Sequence, residues 1–277
     1  MRGLPVSKAH AYGNDFLLVP RDRVEGDVPA LVRSLCHRHH GLGADGVILY
    51  ELRRHGATME LWNADGSASE LSGNGLRCLA ALVARADDLI PKDPTDRTVS
   101  VDTTAGVKTL ELLTREGERY TFRAAMGQPA NIEQVAIPVS GVVVTATVLS
   151  VGNPQCIVLG PLPDEARFRT LGLALSTHAM FPAGTNVEFA QVEAPDRIRI
   201  LIWERGVGPT TSSGTGASAS AVAAAAYGGA ARLMDVAAPG GTQRVEWLDD
   251  GIYLTGWAEI VFDGSWMGSP DNPSDAR

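Results

Sequence analysis

The chain has 277 residues, enough for one large domain or for two of about 120–150 residues, each with its own core. With 44% hydrophobic and 20% charged residues, the composition is that of a globular protein and excludes wholesale disorder. The formal net charge of -8 argues against nucleic-acid binding, which would favour a basic surface.

Several other kinds of site are also excluded by the sequence. The three cysteines are scattered and form no CxxC pair, which is typical of a reducing compartment and offers neither a disulfide framework nor a zinc site. No P-loop pattern occurs, and none of the three lysines lies in a glycine-rich loop where a pyridoxal Schiff base could form. No apolar h-region opens the chain, and no apolar stretch is long enough to span a membrane. We therefore expect a soluble, cytoplasmic protein with no metal and no cofactor.

The first half alternates short strand-like runs with helices. Residues 16–19, 46–52 and 59–62 are predicted strands, the last followed by a turn at 63–66. Residues 28–39 have the apolar spacing of an amphipathic helix, and 75–86 are predicted to form a buried helix.

The second half repeats this order. Predicted strands cover 141–151, 156–159, 186–191 and 197–203, and a helix covers 216–226. Because alanine dominates this helix, a surrounding sheet can approach it closely on all sides, and Gly228-Gly229 then ends it. Residues 265–277 are rich in Pro, Asp, Ser and Gly and are expected to be a frayed tail.

One local layout occurs twice, about half the chain apart. Ser72-Gly73-Asn74-Gly75 and Ser213-Gly214-Thr215-Gly216 each open an apolar helix, at an offset of 141 positions. The other matched landmarks are Gly13-Asn14-Asp15 with Gly152-Asn153-Pro154, Gly43 with Gly184, and Trp62 with Trp203. Matches in the same order predict two structurally similar halves. A pocket between such halves can present equivalent groups to opposite faces of one substrate atom, as a racemase or epimerase requires.

The two serine turns have a structural and a functional interpretation. A serine at a helix start is an ordinary N-cap. The doubling instead favours two anion-binding helix N-termini, whose N–H groups and dipole attract a carboxylate or phosphate.

Two further groups of polar residues are candidates for substrate binding. Four asparagines stand at strand ends or in turns: Asn14, Asn63, Asn153 and Asn186. Each could serve turn geometry alone, but together they offer amide donors and acceptors for an amino acid. Glu204 and Arg205 are either a surface ion pair of little energetic consequence or a clamp for ammonium and carboxylate groups.

At these residues the chain resembles diaminopimelate epimerase, in the cofactor-independent superfamily that includes proline racemase. The resemblance runs nearly end to end. It covers Gly13-Asn14-Asp15-Phe16, Gly43-Ala44-Asp45-Gly46, Asn63-Ala64-Asp65-Gly66-Ser67, Gly73-Asn74-Gly75 with Arg77-Cys78, Met126-Gly127, Gly152-Asn153-Pro154, Thr185-Asn186-Val187-Glu188-Phe189, Glu204-Arg205-Gly206-Val207-Gly208, Gly214-Thr215-Gly216, and Leu254-Thr255-Gly256 with Ala258.

The resemblance implies an α/β (α+β) fold of two pseudo-symmetric halves, each a curved, mostly antiparallel sheet around a central helix, with the active site in the cleft. We expect the halves to be 1–118 with 263–277, and 119–262. The resemblance also implies a cytoplasmic homodimer of lysine and peptidoglycan-precursor synthesis, which interconverts LL- and meso-diaminopimelate. Implied substrate-binding residues are Asn14, Asn63, Asn153, Asn186 and Arg205 at the distal end, and Glu204, Gly73, Asn74, Gly214 and Thr215 around the reacting amino acid.

The departures from the family pattern fall on the proton-transfer chemistry. The family has cysteine where this chain has Ser72 and Ser213, histidine where it has Gln155, and usually glutamate where it has Pro209. One cysteine removes the α-proton and the other delivers one. A serine hydroxyl is a far weaker acid than a thiol and needs an adjacent base. A deliberate knock-out would explain the serines but not the other two changes.

Three hypotheses follow from this pattern. The first is a two-base isomerase in which Ser72 and Ser213 are the catalytic residues, with Glu70 or Cys156 as possible substitute bases. The second is a dehydratase or double-bond isomerase of another amino or hydroxy acid on the same scaffold. The third is an amino-acid-binding protein whose catalysis has decayed.

Overall fold

The computed structural model describes residues 3–53, 56–69, 71–86, 98–139 and 141–268. They form two compact units: one contains the residues up to Phe122 together with those from Trp257 onward, and the other is Arg123–Gly256. The divisions therefore lie at 122/123 and 256/257, against 118/119 and 262/263 in the sequence-based prediction. None of the helices in these ranges has the length and apolar character needed to span a bilayer.

The first unit is a sheet around a helix. Its elements are β1 (Leu4–Ala11), β2 (Asn14–Pro20), α1 (Val28–Cys36), β3 (Gly46–Arg53), β4 (Gly56–Asn63), β5 (Ala68–Ser69), α2 (Gly73–Arg85), β6 (Thr98–Thr103), β7 (Gly106–Glu116) and the start of β8 (Arg119–Gly127). Strands β2 and β3 pair in parallel, as do β4 and β6, whereas the pairs β1–β2, β3–β4, β4–β5 and β6–β7 are antiparallel. Helix α2 packs against six of these strands, so its side chains are buried from Asn74 to Ala84.

The second unit repeats the same order of elements. These are β9 (Ala130–Val139), β10 (Val142–Ser150), β11 (Pro154–Leu159), α3 (Glu165–Ser176), β12 (Asn186–Ala194), β13 (Arg197–Glu204), β14 (Gly208–Thr210), α4 (Gly214–Tyr227), β15 (Leu233–Ala238), β16 (Gly241–Leu248) and the start of β17 (Gly251–Trp266). The parallel pairs are again the second with the third and the fourth with the sixth, counted from β10: β11 with β12, and β13 with β15. The predicted α+β fold of two similar halves, each a mostly antiparallel sheet around one helix, is confirmed.

Helix α4 is buried because its residues are small. Ala217, Ala219 and Ala223 are fully buried, and the helix contacts β10, β11, β12, β13, β15 and β16. Leucines at these positions would hold the strands away, since an interior is packed close to the density of an organic crystal. The alanine-rich sequence thus allows one helix to be enclosed by a sheet.

Some predicted bounds were wrong for local reasons. Helix α1 ends at Cys36 rather than at 39, because His37 takes up extended backbone and its Nδ1 accepts the N–H groups of His39 and His40. The predicted tail was wrong at Ser265 and Trp266, which are in β17 and pair with β1. Its residues 269–277 lie outside the described ranges.

A close contact in the second unit allows a test of packing. A Cβ on Gly172 of α3 would lie 2.7 Å from Trp203 Cε3, so Gly172→Val forces the ring and helix apart. We expect a loss of about 1–3 kcal/mol in the free energy of unfolding, read from urea denaturation midpoints. Leu173→Ala, at an exposed position of the same helix, should change the midpoint far less. A Gly172→Val protein as stable as the wild type would contradict this packing.

Candidate active site

Ser72 caps the central helix of the first unit. Its backbone is extended, with φ -130° and ψ 124°, and its Oγ accepts the N–H of Gly75 at 3.1 Å. An N-cap satisfies only one of the four unpaired N–H groups at a helix start, so the turn keeps donors for an anion. Helix α2 begins at Gly73, two residues before its predicted start, because Ser72 is the N-cap and the residues that follow it form the first helical turn.

Amide groups beside this turn are held by a chain of hydrogen bonds. Asn74 Nδ2 donates to Asn14 Oδ1 at 3.1 Å, and Asn14 Nδ2 donates to Asp45 Oδ2 at 2.8 Å. Behind them, the buried Arg77 donates from Nη2 to Asn74 Oδ1 at 2.5 Å. The structure thus brings two predicted binding residues, Asn14 and Asn74, into direct contact and fixes the orientation of both amides.

The loop that carries Asn14 is anchored by ion pairs. The Asp15 carboxylate lies 2.9 Å from Lys8 Nζ and 3.1 Å from Arg38 Nη2, and Arg38 also bonds Asp45 at 2.7 Å. Burial raises the pKa of Asp15, but the bonds from Lys8 and then Arg38 outweigh it and leave that pKa below its ordinary value. Asp15 is therefore ionised at neutral pH and anchors the loop next to Asn14 through Lys8 and Arg38.

Asn63 sits in the predicted turn at the end of β4. Its side chain donates to Ser67 Oγ at 2.9 Å, and its carbonyl accepts the N–H of Gly66 at 2.9 Å. The turn reaches the same region through Ala64, whose N–H bonds the Asp45 carbonyl at 3.2 Å. The side chain of Asn63 is exposed, and the turn interpretation accounts for all of these contacts.

Ser213 caps the central helix of the second unit in the same conformation. Its φ is -141° and ψ is 126°, and its Oγ accepts the N–H of Gly216 at 3.1 Å. The side chain is only 5% exposed, and its Oγ lies 3.5 Å from Thr215 Oγ1. The two serine turns are therefore copies in local geometry as well as in sequence.

Predicted binding residues also meet in the second unit. Asn153 Nδ2 lies 3.5 Å from Thr215 Oγ1, and Asn186 Oδ1 accepts the N–H of Arg205 at 2.9 Å. The Arg205 guanidinium bonds the carbonyl of Ala183 at 2.9 Å. Glu204, the last residue of β13, stands next to Arg205 and pairs with Gly208 of β14.

A residue with no assigned role completes this cluster. Glu188 of β12 is fully buried, and a Cβ placed on Gly216 would collide with its Oε1 while lying 3.1 Å from Ser213 Oγ. Burial, and then the charge of Glu204, hold the pKa of Glu188 well above its ordinary value. The signal in the sequence was a carboxylate between Val187 and Phe189, within the predicted strand 186–191.

Cys156, which the sequence analysis named as a possible substitute base, lies in surroundings that do not favour a thiolate. Cys156 is fully buried among apolar residues, and burial followed by the charge of Glu188 raises the pKa of its thiol to about 12. Cys78 is equally buried, and its pKa is also raised. Pro209, exposed in β14, pairs with Trp203. Glu70 lies outside the described residues.

The raised pKa of Glu188 predicts how stability depends on pH. In the unfolded chain a glutamate titrates near 4.5. Above that pH the unfolded chain loses a proton that the folded chain keeps. The free energy of unfolding therefore falls with rising pH, by up to about 1.4 kcal/mol per pH unit, until the folded pKa is reached.

Glu188→Gln removes this proton linkage and leaves the side-chain shape nearly unchanged. The stability of the variant relative to wild type should therefore increase as the pH rises above about 5, up to the folded-state pKa of Glu188, in urea denaturation. Glu193→Gln, on the same strand but exposed and paired with Arg197 and Arg199, is the matched control and should not reproduce that trend. Parallel curves for wild type and Glu188→Gln would contradict the prediction.

Comparison with known proteins places these features in a family. The family model described as diaminopimelate epimerase matches residues 6–132 and 147–261. The chain is 42% identical to a diaminopimelate epimerase of Desulforudis audaxviator, over 94% of this chain and 98% of that one. It is 36% identical to the diaminopimelate epimerase of a Synechocystis species, with 94% and 98% covered.

Solved structures share the fold at low sequence identity. A probable proline racemase from Agrobacterium radiobacter superposes with a TM-score of 0.72 at 18% identity, covering 98% of this chain and 94% of that one. A PhzF-family phenazine biosynthesis protein from Bacillus anthracis gives 0.68 at 13% identity, covering 97% and 100%.

Proposed function

The chain belongs to the diaminopimelate epimerase family, and we propose that this isomerase interconverts LL- and meso-diaminopimelate by proton transfer at one α-carbon. The observation that carries the proposal is the repeated serine cap at the starts of α2 and α4, within a chain that matches the family nearly end to end. Each cap leaves helix N–H groups available to a carboxylate.

We assign the two proton-transfer roles to Ser72 and Ser213, one as base and one as acid. Binding is assigned to the amide clusters beside them. Asn14 and Asn74 are held by Asp45 and Arg77, and Asn153 and Asn186 lie beside Thr215 and Arg205. Fixed amides and a guanidinium suit a substrate with two carboxylates and two ammonium groups, because they supply both acceptors and donors. The remaining assigned contacts are Asn63, Gly73, Gly214 and Glu204.

Solvent isotope exchange is the direct test. The purified chain is incubated with LL-diaminopimelate in deuterated water, and deuterium at the α-position is followed by mass spectrometry. Deuterium incorporation with formation of the meso isomer supports the proposal. A rate equal to the buffer blank overturns it.

The hydroxyls at both proton-transfer positions favour one second candidate. A serine hydroxyl can position a water or protonate a leaving hydroxyl, so the site also suits a dehydratase or double-bond isomerase of an amino or hydroxy acid. Incubation with trans-3-hydroxyproline separates the two, because dehydration removes the mass of one water and epimerisation leaves the mass unchanged. Binding of diaminopimelate without either reaction identifies a decayed, binding-only protein.

We also propose that the protein acts in the cytoplasm as a homodimer. Free, buried cysteines at 36, 78 and 156 support a reducing compartment. The dimer rests on the family resemblance, and light scattering of the purified protein measures it.

A further inference from the structure

The Glu188 carboxyl is the buried acid nearest to the start of α4. Glu188 lies in the middle of the second unit, between β11 and β13, and its side chain has no exposed surface. Its Oε1 faces the Cα of Gly216, and the hydroxyl of Ser213 borders the same space. A Cβ built on Gly216 would collide with Glu188 Oε1 and lie 3.1 Å from Ser213 Oγ, so the two oxygens border the same position, and a rotation of either side chain can bring them together.

The amide of Gln155 is matched to both charge states of this carboxyl. In one orientation its Nε2 donates to Asn153 Oδ1 at 2.7 Å, and its carbonyl oxygen faces Glu188, as a protonated carboxyl requires. Turned over, Nε2 lies 3.2 and 3.1 Å from the two Glu188 oxygens, and Oε1 accepts from Asn186 Nδ2 and Thr215 Oγ1 at 3.2 Å. The amide of Asn153, whose Oδ1 lies 2.7 Å from that oxygen, must then turn as well, so that its Nδ2 donates. The second orientation suits a carboxylate. A buried acid beside a reversible amide can lose and regain its proton with a hydrogen-bond partner in each state.

On the basis of the proposed function, we propose that Glu188 is the acid–base partner of Ser213. As the substrate carbanion forms its new C–H bond with the Ser213 hydroxyl proton, the O–H bond of Glu188 breaks and its proton passes to Ser213 Oγ. The carboxyl oxygen keeps the electron pair. The carboxylate is then stabilised by the turned Gln155 amide and by the N-terminus of α4. The reverse sequence removes the α-proton and restores the acid, so Ser213 never needs to persist as an alkoxide.

The groups around Glu188 allow such a cycle. Strand β13 contributes Glu204, whose charge favours the protonated form of Glu188, and β11 contributes the thiol of Cys156. Helix α4 contributes the hydroxyls of Ser213 and Thr215 and its positive N-terminal dipole, which favours the carboxylate. These opposing influences keep both charge states within reach during turnover.

Three variants compared by deuterium exchange separate a proton relay from simple packing. Glu188→Asp keeps an acid but shortens the side chain, whereas Glu188→Gln keeps the shape and loses the acid. A relay predicts that exchange falls by about 10²-fold in Glu188→Gln. It also predicts less loss in Glu188→Asp, and a changed pH profile in both. A packing role predicts the opposite order with the wild-type profile. Glu193→Gln is the control for removal of a charge from the same strand.

A second measurement needs no substrate and so stands even if the proposed function fails. Ser213→Cys introduces a thiol whose ionisation is followed by its rate of alkylation as pH is varied, while the native thiols stay buried. If Glu188 is coupled to this position, the ionisation of the thiol depends on the proton that the Glu188 carboxyl carries, and Glu188→Gln removes that acid. We expect the thiol pKa then to change by about one unit. An unchanged thiol pKa overturns the proposal, whether or not diaminopimelate is the substrate.

Discussion

Changing either Ser72 or Ser213 to alanine is expected to lower α-deuterium exchange by about 10²–10⁴-fold, the usual contribution of a positioned acid or base. Each serine has the same extended backbone and the same cap bond at 3.1 Å, so the two changes remove equivalent groups. Exchange is measured in both directions, from LL- and from meso-diaminopimelate. Because one group acts as base and the other as acid in each direction, both variants should lose activity in both.

Loss of a helix cap is the competing explanation, since an N-cap serine replaced by alanine costs about 0.5–2 kcal/mol. Glycine at an N-cap costs only a few tenths of a kcal/mol in stability, so Ser72→Gly and Ser213→Gly remove the hydroxyl with little damage to the helix. Asp164→Ala removes the cap of α3, which accepts the N–H of Arg167 at 2.8 Å, without touching the site. If the glycine variants keep wild-type exchange, the serines are caps and nothing more.

The sequence predicted the parts of the fold that have strong local signals. The two serine turns mark the starts of α2 and α4 within two residues, because the cap and the following glycines impose a defined local conformation. The doubled spacing also revealed the repeat, which the parallel pairs β2–β3 and β11–β12 confirm. Helix α3 and strands such as β7 and β9 were missed. The residues of β7 and β9 are largely exposed and have no clear apolar period, so pairing with neighbouring strands defines them. Helix α3 did carry an apolar spacing, at Phe168, Leu171 and Leu175, which the sequence analysis passed over.

The candidate site was predictable as a set of residues but not as a set of contacts. Asn14 and Asn74 are 60 positions apart, and only the folded sheet brings their amides within 3.1 Å. Glu188 has no motif of its own. Its interest comes from burial and from its position beside Gly216 and Gln155, which depend on how β11, β12 and α4 pack.

Changing Ser72 and Ser213 together to cysteine is expected to raise α-deuterium exchange by about 10²-fold or more. A thiol with a pKa near 8.5 supplies far more anion at neutral pH than a serine hydroxyl, and a helix N-terminus lowers that pKa further. The resemblance implies cysteine at both positions, so the amides and the Arg205 side chain already match a thiol-based reaction. Exchange in the double variant should rise with pH through the thiol pKa.

Control variants show how a gain in α-deuterium exchange is to be interpreted. Each single change leaves one hydroxyl in place, so neither single variant should reach the exchange rate of the double variant. The factor by which the gain of the double variant exceeds the product of the two single gains measures the coupling between the positions. Cys78 and Cys156 are fully buried, so their replacement by alanine in the double variant should leave the pH dependence unchanged. If the double variant is active and the wild type is not, the binding groups are intact and only acid–base strength was lost. If neither exchanges deuterium, the amide clusters serve another substrate, and the family reaction is not the reaction of this chain.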